Sequence, residues 1–466
     1  MTTVLPTLRE TAASGPSVDR WTYAFLALFG WRYIRQIVHL VSFWALYKPA
    51  EPAAEPTLTS GDATVIVPTV DPGNAMFGAC LTTACRNRPS RVLVVTAGET
   101  LRRLTEASCA DTPIEVLVST TANKRAQVVR AVQATTSRIV VLMDDHVLWP
   151  DTFLRYALAA FDADSRVGLV GTNKRVIRRP TAGASLWERH LNLIQCLYLE
   201  RHNFEIRASN AVDGGVFVVS GRTSLLRTEI VADPAFCAGY LNDHIFFGRV
   251  GPLSVDDDNF VTRWCVAHGW KIKIQYRPET LITTDLGSLS KFTGGLIRWV
   301  RTTWRSNAMS LVHWHVWRAQ PWSVYAVYLT LFTNFALFYD PLLLYAFYRS
   351  GFVQPGALLP RPQQGTHPDG STTPAVAATA APRLLAFVPL VLWMLAFKMV
   401  KPFAYFYRHP QDLVLVPGYF LFTWFHSLIK LCGLLTVHNG KWEGRDLDAI
   451  NKAIKMQVKE EEDDDE

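Results

Sequence analysis

Residues 139–149 read IVVLMDDHVLW, an apolar run that stops on Asp144, Asp145 and His146. Two carboxylates and an imidazole make a donor set for a divalent cation, and a cation held there is suited to a phosphate. A second acidic run, Asp256-Asp257-Asp258, lies in VDDDNFVTRW at 255–264. Adjacent carboxylates repel one another, so at least one of the three should have a raised pKa. That is what a general base working near neutral pH needs. Lys124, in Asn123-Lys124-Arg125, reads by itself as a solvated surface lysine.

These groups need a scaffold, and the sequence around them supplies one. Residues 63–68 (ATVIVP), 91–96 (RVLVVT) and 114–119 (IEVLVS) are short apolar runs ending in turn residues. Between the third run and the Asp-Asp-His strand, 124–133 places Val128, Val129 and Val132 on one helical side. Strands alternating with helices predict an α/β domain with a mostly parallel sheet, assigned here to 63–290. In such a sheet ligands bind at the carboxyl ends of the strands, which is where Asp144 falls.

The chain has 466 residues, 49% of them hydrophobic and 12% aromatic, which predicts more than one domain and α-helical transmembrane segments. The candidates are 21–47, 322–348 and a pair within 384–437. The first carries Arg32, Arg35 and His39 and either spans the bilayer or lies in its interface; its arginine-interrupted apolar stretch is unlike a signal peptide. The second is expected to break at Asp340-Pro341. Residues 291–318 mix arginines with tryptophans and predict membrane-interfacial amphipathic helices. Residues 1–20 are expected to be loose, 48–62 to be a proline-rich linker, and 351–382 to be a non-cytosolic loop. Residues 438–466 form a C-terminal segment ending in a disordered acidic tail. Lys398, Lys401 and Arg408 mark a cytoplasmic side. A net charge of +7 without a basic-aromatic stripe argues against nucleic acid as a partner. Seven scattered cysteines without a Cys-x-x-Cys pair argue against a disulfide framework or structural zinc, and place the domain in a reducing compartment.

In order and spacing, these motifs resemble the processive family 2 glycosyltransferases, the membrane group of hyaluronan, chitin and cellulose synthases. The nearest likeness is to the hyaluronan-synthase-like polysaccharide synthases of fungi, over about residues 63–445. The resemblance implies a GT-A type nucleotide-sugar-binding domain. It places Thr69 and Asp71 on the nucleoside of a UDP-sugar, Lys124 on the diphosphate, and Asp144, Asp145 and His146 around the metal. Histidine stands where the family has aspartate, and imidazole suits Mn²⁺ better than Mg²⁺. Asp258 becomes the catalytic base with Asp257 beside it. Gly295-x-x-Arg298-Trp299 lacks the family's glutamine but keeps an arginine for the leaving diphosphate and a tryptophan for the acceptor. Ser220, Gly214 and Gly215 fall near the acceptor, although paired glycines can equally shape a turn. Residues 408–412 and 442–445 resemble late family segments, whereas Thr96-Ala97-Gly98 lacks an aspartate that the family uses for uracil.

The implied activity is inverting, processive transfer from a UDP-sugar to a growing polysaccharide, coupled to export through the lipid bilayer, for cell-wall or extracellular glycan synthesis. The catalytic domain would be cytosolic, at the plasma membrane. A membrane transferase adding one sugar to a lipid or protein is the alternative.

Overall fold

A computed structural model describes residues 19–110, 112–180, 182–353, 380–440 and 447–464. The chain divides into two compact units, 1–37 with 337–397 and 38–336 with 398–466.

The second unit holds the predicted α/β domain. In chain order its strands are β1 (Ala63–Pro68), β2 (Arg91–Ala97), β3 (Glu115–Ser119), β4 (Ile139–Met143), β5 (Val147–Leu148), β6 (Val167–Thr172), β7 (Lys174–Val176), β8 (Thr223–Arg227), β9 (Lys271–Gln275) and β10 (Ile282–Thr284). Seven form one sheet in the order β3-β2-β1-β4-β8-β6-β9, and β5-β10-β7 form a second. Within the large sheet only β8 runs antiparallel to its neighbours. Every residue of β1 and β4 is buried, as expected of central strands covered on both faces. The register Thr64↔Val140 and Ile66↔Leu142 aligns β1 with β4, so Thr69 and Asp144 emerge at the same carboxyl edge.

Helices then bring the remaining groups to that edge. Asn123 caps α1 (Lys124–Val132), accepting hydrogen bonds from the N–H groups of Arg125 and Ala126. The 28-residue α2 (Leu186–Asp213) starts with a Ser185/Glu188 capping box and ends at Gly214 with φ +76°. The acidic run opens α3 (Asp257–Ala267), and α4 (Leu289–Leu311) carries Arg298 and Trp299. Further on are α5 (Val416–Leu435) and α6 (Leu447–Asp464).

Several expectations are corrected. Arg301 and Arg305, read as the basic edge of a membrane-surface helix, are buried, at 5% and 2% exposure. Arg301 Nε donates to Thr436 Oγ1 at 2.8 Å and Arg305 to the Val437 and Asn439 carbonyls, so α4 is tied to the segment after α5. Past α4, Val312 and Trp314 remain exposed. The 322–348 segment is interrupted at Asn334-Phe335, whereas Pro341 sits inside the helix Ala336–Arg349. The acidic end continues α6 as helix through Asp464. The bulk of the 351–382 loop, the 442–445 motif and most of residues 1–20 lie outside the described residues.

One helical stretch among the described residues, Pro410–Leu435, is long and apolar enough to cross a membrane, with mean hydropathy 1.3. Pro321–Thr333 and Ala336–Arg349 together pass the same test as a broken pair, and Leu384–Val400 is a shorter apolar helix. In the first unit Phe25, Tyr33, Leu343 and Leu390 share an apolar cluster. Arg32 is neutralised there by an ion pair with Asp340, and its guanidinium lies 5.1 Å from the Tyr339 ring centre. All seven cysteines are unpaired.

Candidate active site

A cavity of about 360 Å³ opens at the carboxyl edge of the sheet, lined from β1 through α1, β4, the 220–222 turn, α3 and α4. It gathers Thr69, Lys124, Asp144, Asp145, His146, Ser220, Asp257, Asp258, Arg298 and Trp299, drawn from segments scattered over more than 200 residues. Asp71, Gly214 and Gly215 do not line it. Gly214 supplies the left-handed cap that ends α2. A Cβ on Gly215 would meet Ser323 Oγ at 2.1 Å, so this position needs glycine for close packing.

The β4 end divides its three polar residues by direction. Asp144 Oδ1 receives the Lys124 ammonium at 2.8 Å. Asp145, 2% exposed, points inward: Oδ2 accepts from Thr69 Oγ1 at 2.8 Å and Oδ1 lies 2.9 Å from His146 Nδ1. Both Asp145 oxygens thus hold protein partners, which leaves Asp144 and His146 as the better-placed donors for the expected metal. Thr69 lines the cavity with its hydroxyl already turned to Asp145. A carboxylate on Nδ1 fixes the ring and leaves Nε2 as the coordinating nitrogen, the arrangement commonly found behind metal-binding histidines. Asp144 and His146 thus fit a divalent cation completed by a ligand's own oxygens. Among the described residues no group of three or more His, Cys, Asp or Glu side chains could hold a metal unaided.

The acidic run is divided in the same way. Asp256 sits at φ +64° and ψ +29°, which swings its carboxylate onto α4. There it accepts from Thr302 and pairs with Arg305 at 2.7 Å. Asp257 faces Lys124 at 2.9 Å. Asp258 Oδ2 accepts from the Gly221 N–H at 3.0 Å and Oδ1 from the Asn259 N–H at 2.9 Å. Thr262 locks this arrangement, donating to the Asp258 carbonyl at 2.8 Å and accepting from the Val219 N–H at 3.0 Å.

Lys124 therefore joins the two acidic clusters. Burial alone would lower its pKa, but Asp144 and Asp257 outweigh that and hold it well above the usual value. Asp257 is the converse case: burial opposes its charge, and Lys124 more than compensates, holding it below the usual carboxylate range. Asp258 has no such partner. Burial, then the neighbouring Asp257 charge, push it up to about 6.

The residue that the sequence did not flag is Arg222. Asp144 N–H donates to the Arg222 carbonyl at 3.0 Å, extending the β4–β8 ladder by one bond, while the adjacent Gly221 N–H holds Asp258. Two consecutive residues, Gly221 and Arg222, thus set the spacing between the two acidic clusters. The Arg222 guanidinium lies 5.3 Å from the centre of the Trp299 ring, which stacks on Tyr198 with centroids 5.3 Å apart. Burial pushes the Arg222 pKa down. A half-buried cation lining the same cavity as Arg298 and Lys124 gives it a positive wall suited to polyphosphate.

A parallel sheet with one antiparallel strand, a metal-competent acidic turn at its carboxyl edge and an acidic helix start opposite together define the GT-A class of nucleotide-sugar-dependent transferases. The profile described as Glycosyltransferase like family 2 matches residues 61–303. A "Type 2 glycosyltransferase" of Zymoseptoria tritici is 35% identical over 92% of this chain and 85% of its own. Another with the same description, from Pyricularia oryzae, is 36% identical over 91% and 82%. The solved structure of a mannosyltransferase from Pyrobaculum calidifontis, in complex with GDP-Man and Mn²⁺, shares the fold with a TM-score of 0.51 at 17% identity. That alignment covers 91% of this chain and 100% of the other. The chain belongs to the family 2 glycosyltransferases and is an enzyme of that family.

Proposed function

We propose that the chain transfers a sugar from a UDP-sugar to a growing polysaccharide, processively and with inversion, while associated with a membrane. The observation that carries the reading is Lys124, clasped between Asp144 on the donor side and Asp257 on the acceptor side. A nucleoside diphosphate drawn to Asp144, Lys124, Arg222 and Arg298 has its sugar directed toward Asp257 and Asp258.

Asp144 and His146 would hold a divalent cation, Mn²⁺ in preference to Mg²⁺, which supplies positive charge to the diphosphate when bound. Arg298 and Lys124 stabilise the charge that develops on the leaving group. Asp258 takes the proton of the acceptor hydroxyl as that oxygen bonds to the anomeric carbon. The bond from that carbon to the diphosphate oxygen breaks on the opposite face, and the nucleoside diphosphate leaves with the electron pair. Trp299, backed by Tyr198, offers an aromatic floor for a sugar ring.

Support for a polymeric acceptor comes from the reach of the cavity, which extends past Trp299 to Tyr198 on α2 and His426 on the apolar helix α5. A polymer made there would have a bilayer beside it, in keeping with a plasma-membrane enzyme whose catalytic domain is cytosolic. Incubation of purified enzyme with a panel of radiolabelled nucleotide sugars tests this reading. A ladder of long products from a UDP-sugar is expected, whereas single-sugar products would replace the polymerase by a transferase acting on a lipid or protein.

A further inference from the structure

The helix α6 plays no part in the chemistry above, yet it reaches the active cavity. Leu447, Ile450, Asn451 and Ile454 recur at helical spacing and are the residues of its first two turns that are partly buried, while Asp448, Lys452 and Lys455 are exposed. This stripe lies on the carboxyl ends of β2 and β3. Asn451 Oδ1 accepts the Ala122 N–H at 2.7 Å. Gly98, with φ +74° at the end of β2, admits the helix so closely that a Cβ there would lie 2.9 Å from Ile454 Cγ1. Leu447 is itself part of the cavity wall.

The position of these contacts gives them meaning. Ala122 immediately precedes Asn123, which caps α1, and Lys124, which bridges the two acidic clusters. With the diphosphate at Lys124 and Asp144 and the sugar toward Asp258, the nucleoside must extend the other way, toward β1–β3 and Leu447. We propose that α6 completes the nucleoside end of the donor site, with Leu447 in contact with the nucleoside and Asn451 a positioning residue that acts through the Ala122-Asn123 turn on Lys124. This rests on the donor-site reading above. Without Asn451, the Ala122 N–H loses its acceptor, the turn loosens, and both the nucleoside wall and the lysine lose their fixed places. Donor binding then weakens while the acceptor base is untouched.

The test uses the full chain in detergent or nanodiscs. Titration calorimetry with UDP and with GDP, each in the presence of Mn²⁺, is combined with steady-state transfer. Asn451→Ala is expected to weaken nucleotide binding and raise the donor KM about three- to tenfold, the value of one hydrogen bond, with a smaller fall in kcat through the loosened Lys124. Asn451→Asp, which keeps the acceptor oxygen, is expected to recover most of that loss. Ile454→Ala, which loosens the helix without touching Ala122, should give a smaller rise in KM and faster hydrogen exchange at α6. A lower melting temperature in Asn451→Ala with unchanged nucleotide affinity and KM would overturn the proposal, reducing α6 to a structural strap. Absence of nucleotide binding by the wild-type chain would instead sink the donor-site reading itself.

Discussion

The two acidic triplets, Asp144-Asp145-His146 and Asp256-Asp257-Asp258, are built from nearly the same residue types and are put to opposite uses. Each gives up one carboxylate to the scaffold: Asp145 to Thr69 and His146, Asp256 to Thr302 and Arg305. Each offers a second to Lys124. They differ in the third member. At the strand end it is an imidazole whose Nδ1 is held by Asp145; at the helix start it is Asp258, half-buried and held by backbone N–H groups rather than by an ion pair. A helix N-terminus ordinarily favours a carboxylate anion by about 0.3–1 kcal/mol. Asp258 stands at the second position of α3, yet its pKa is raised, so burial and the Asp257 charge win over the dipole. On the proposed reading, the base is marked by the lack of an ion-pair partner rather than by acidity alone.

The largest expected effect follows from removing that carboxylate. Asp258→Asn should lower kcat by about 10²–10⁴-fold, the range for a lost general base, while calorimetry finds nucleotide binding largely intact. The same change should stabilise the fold. The folded value of about 6 lies above the ordinary 3.8, so folding favours the protonated form and stability falls as pH rises between them. At neutral pH the asparagine variant avoids that cost and should unfold about 1–3 kcal/mol less readily in denaturant titrations. Turnover close to wild type would move the base to Asp257.

Next in size is the bridge. Lys124→Met strips the cation from both triplets, and should reduce kcat/KM by about 10²-fold through weakened charge stabilisation. Asp257 should then titrate higher, which NMR of a selectively labelled chain can follow. An Asp257 that titrates unchanged in this variant would show that the two clusters are not coupled through Lys124.

A change at the strand end should sharpen the contrast without abolishing activity. His146→Asp hardens the ligand set and is expected to shift the preferred ion from Mn²⁺ toward Mg²⁺. An unchanged metal preference in an active variant would remove His146 from the ion. Smallest is Gly221→Ala. Its Cβ would sit 3.3 Å from Asp258 Cβ and 3.4 Å from Oδ2, displacing the base by a few tenths of an ångström. A loss of about tenfold in kcat at unchanged donor affinity is expected.

What the sequence disclosed, and what it withheld, follows from the range of the interactions involved. β1 and β4 are buried on both faces, and a parallel central strand writes that as an unbroken apolar run, so the sheet and its functional edge were legible. Asp144 and Asp145 could not be told apart, because a two-residue turn reverses direction without leaving a periodic pattern. Arg222 was illegible for a different reason. Its place beside Asp144 comes from an antiparallel pairing across 78 residues, and nothing in SGRTS announces that the arginine lies over a tryptophan in α4. The Asp213-Gly214-Gly215 run was ambiguous, because the left-handed end of α2 at Gly214 and the approach of Ser323 to Gly215 leave no mark in the local sequence. Arg301 and Arg305 misled because an amphipathic pattern shows which residues share a face, not whether that face meets lipid or protein.

The central claim is that Asp258, alone among the six residues of the two triplets, is the acceptor-side base. The most direct measurement is kcat/KM from about pH 5 to about pH 8, for the wild type and for Asp257→Asn. Transfer requires the Asp258 anion, so the wild-type rate should rise with a one-proton slope through about 6. In Asp257→Asn the negative neighbour is gone, and the limb should move to lower pH. A wild-type profile flat across that range, or a limb that stays in place when Asp257 is neutralised, would contradict the assignment.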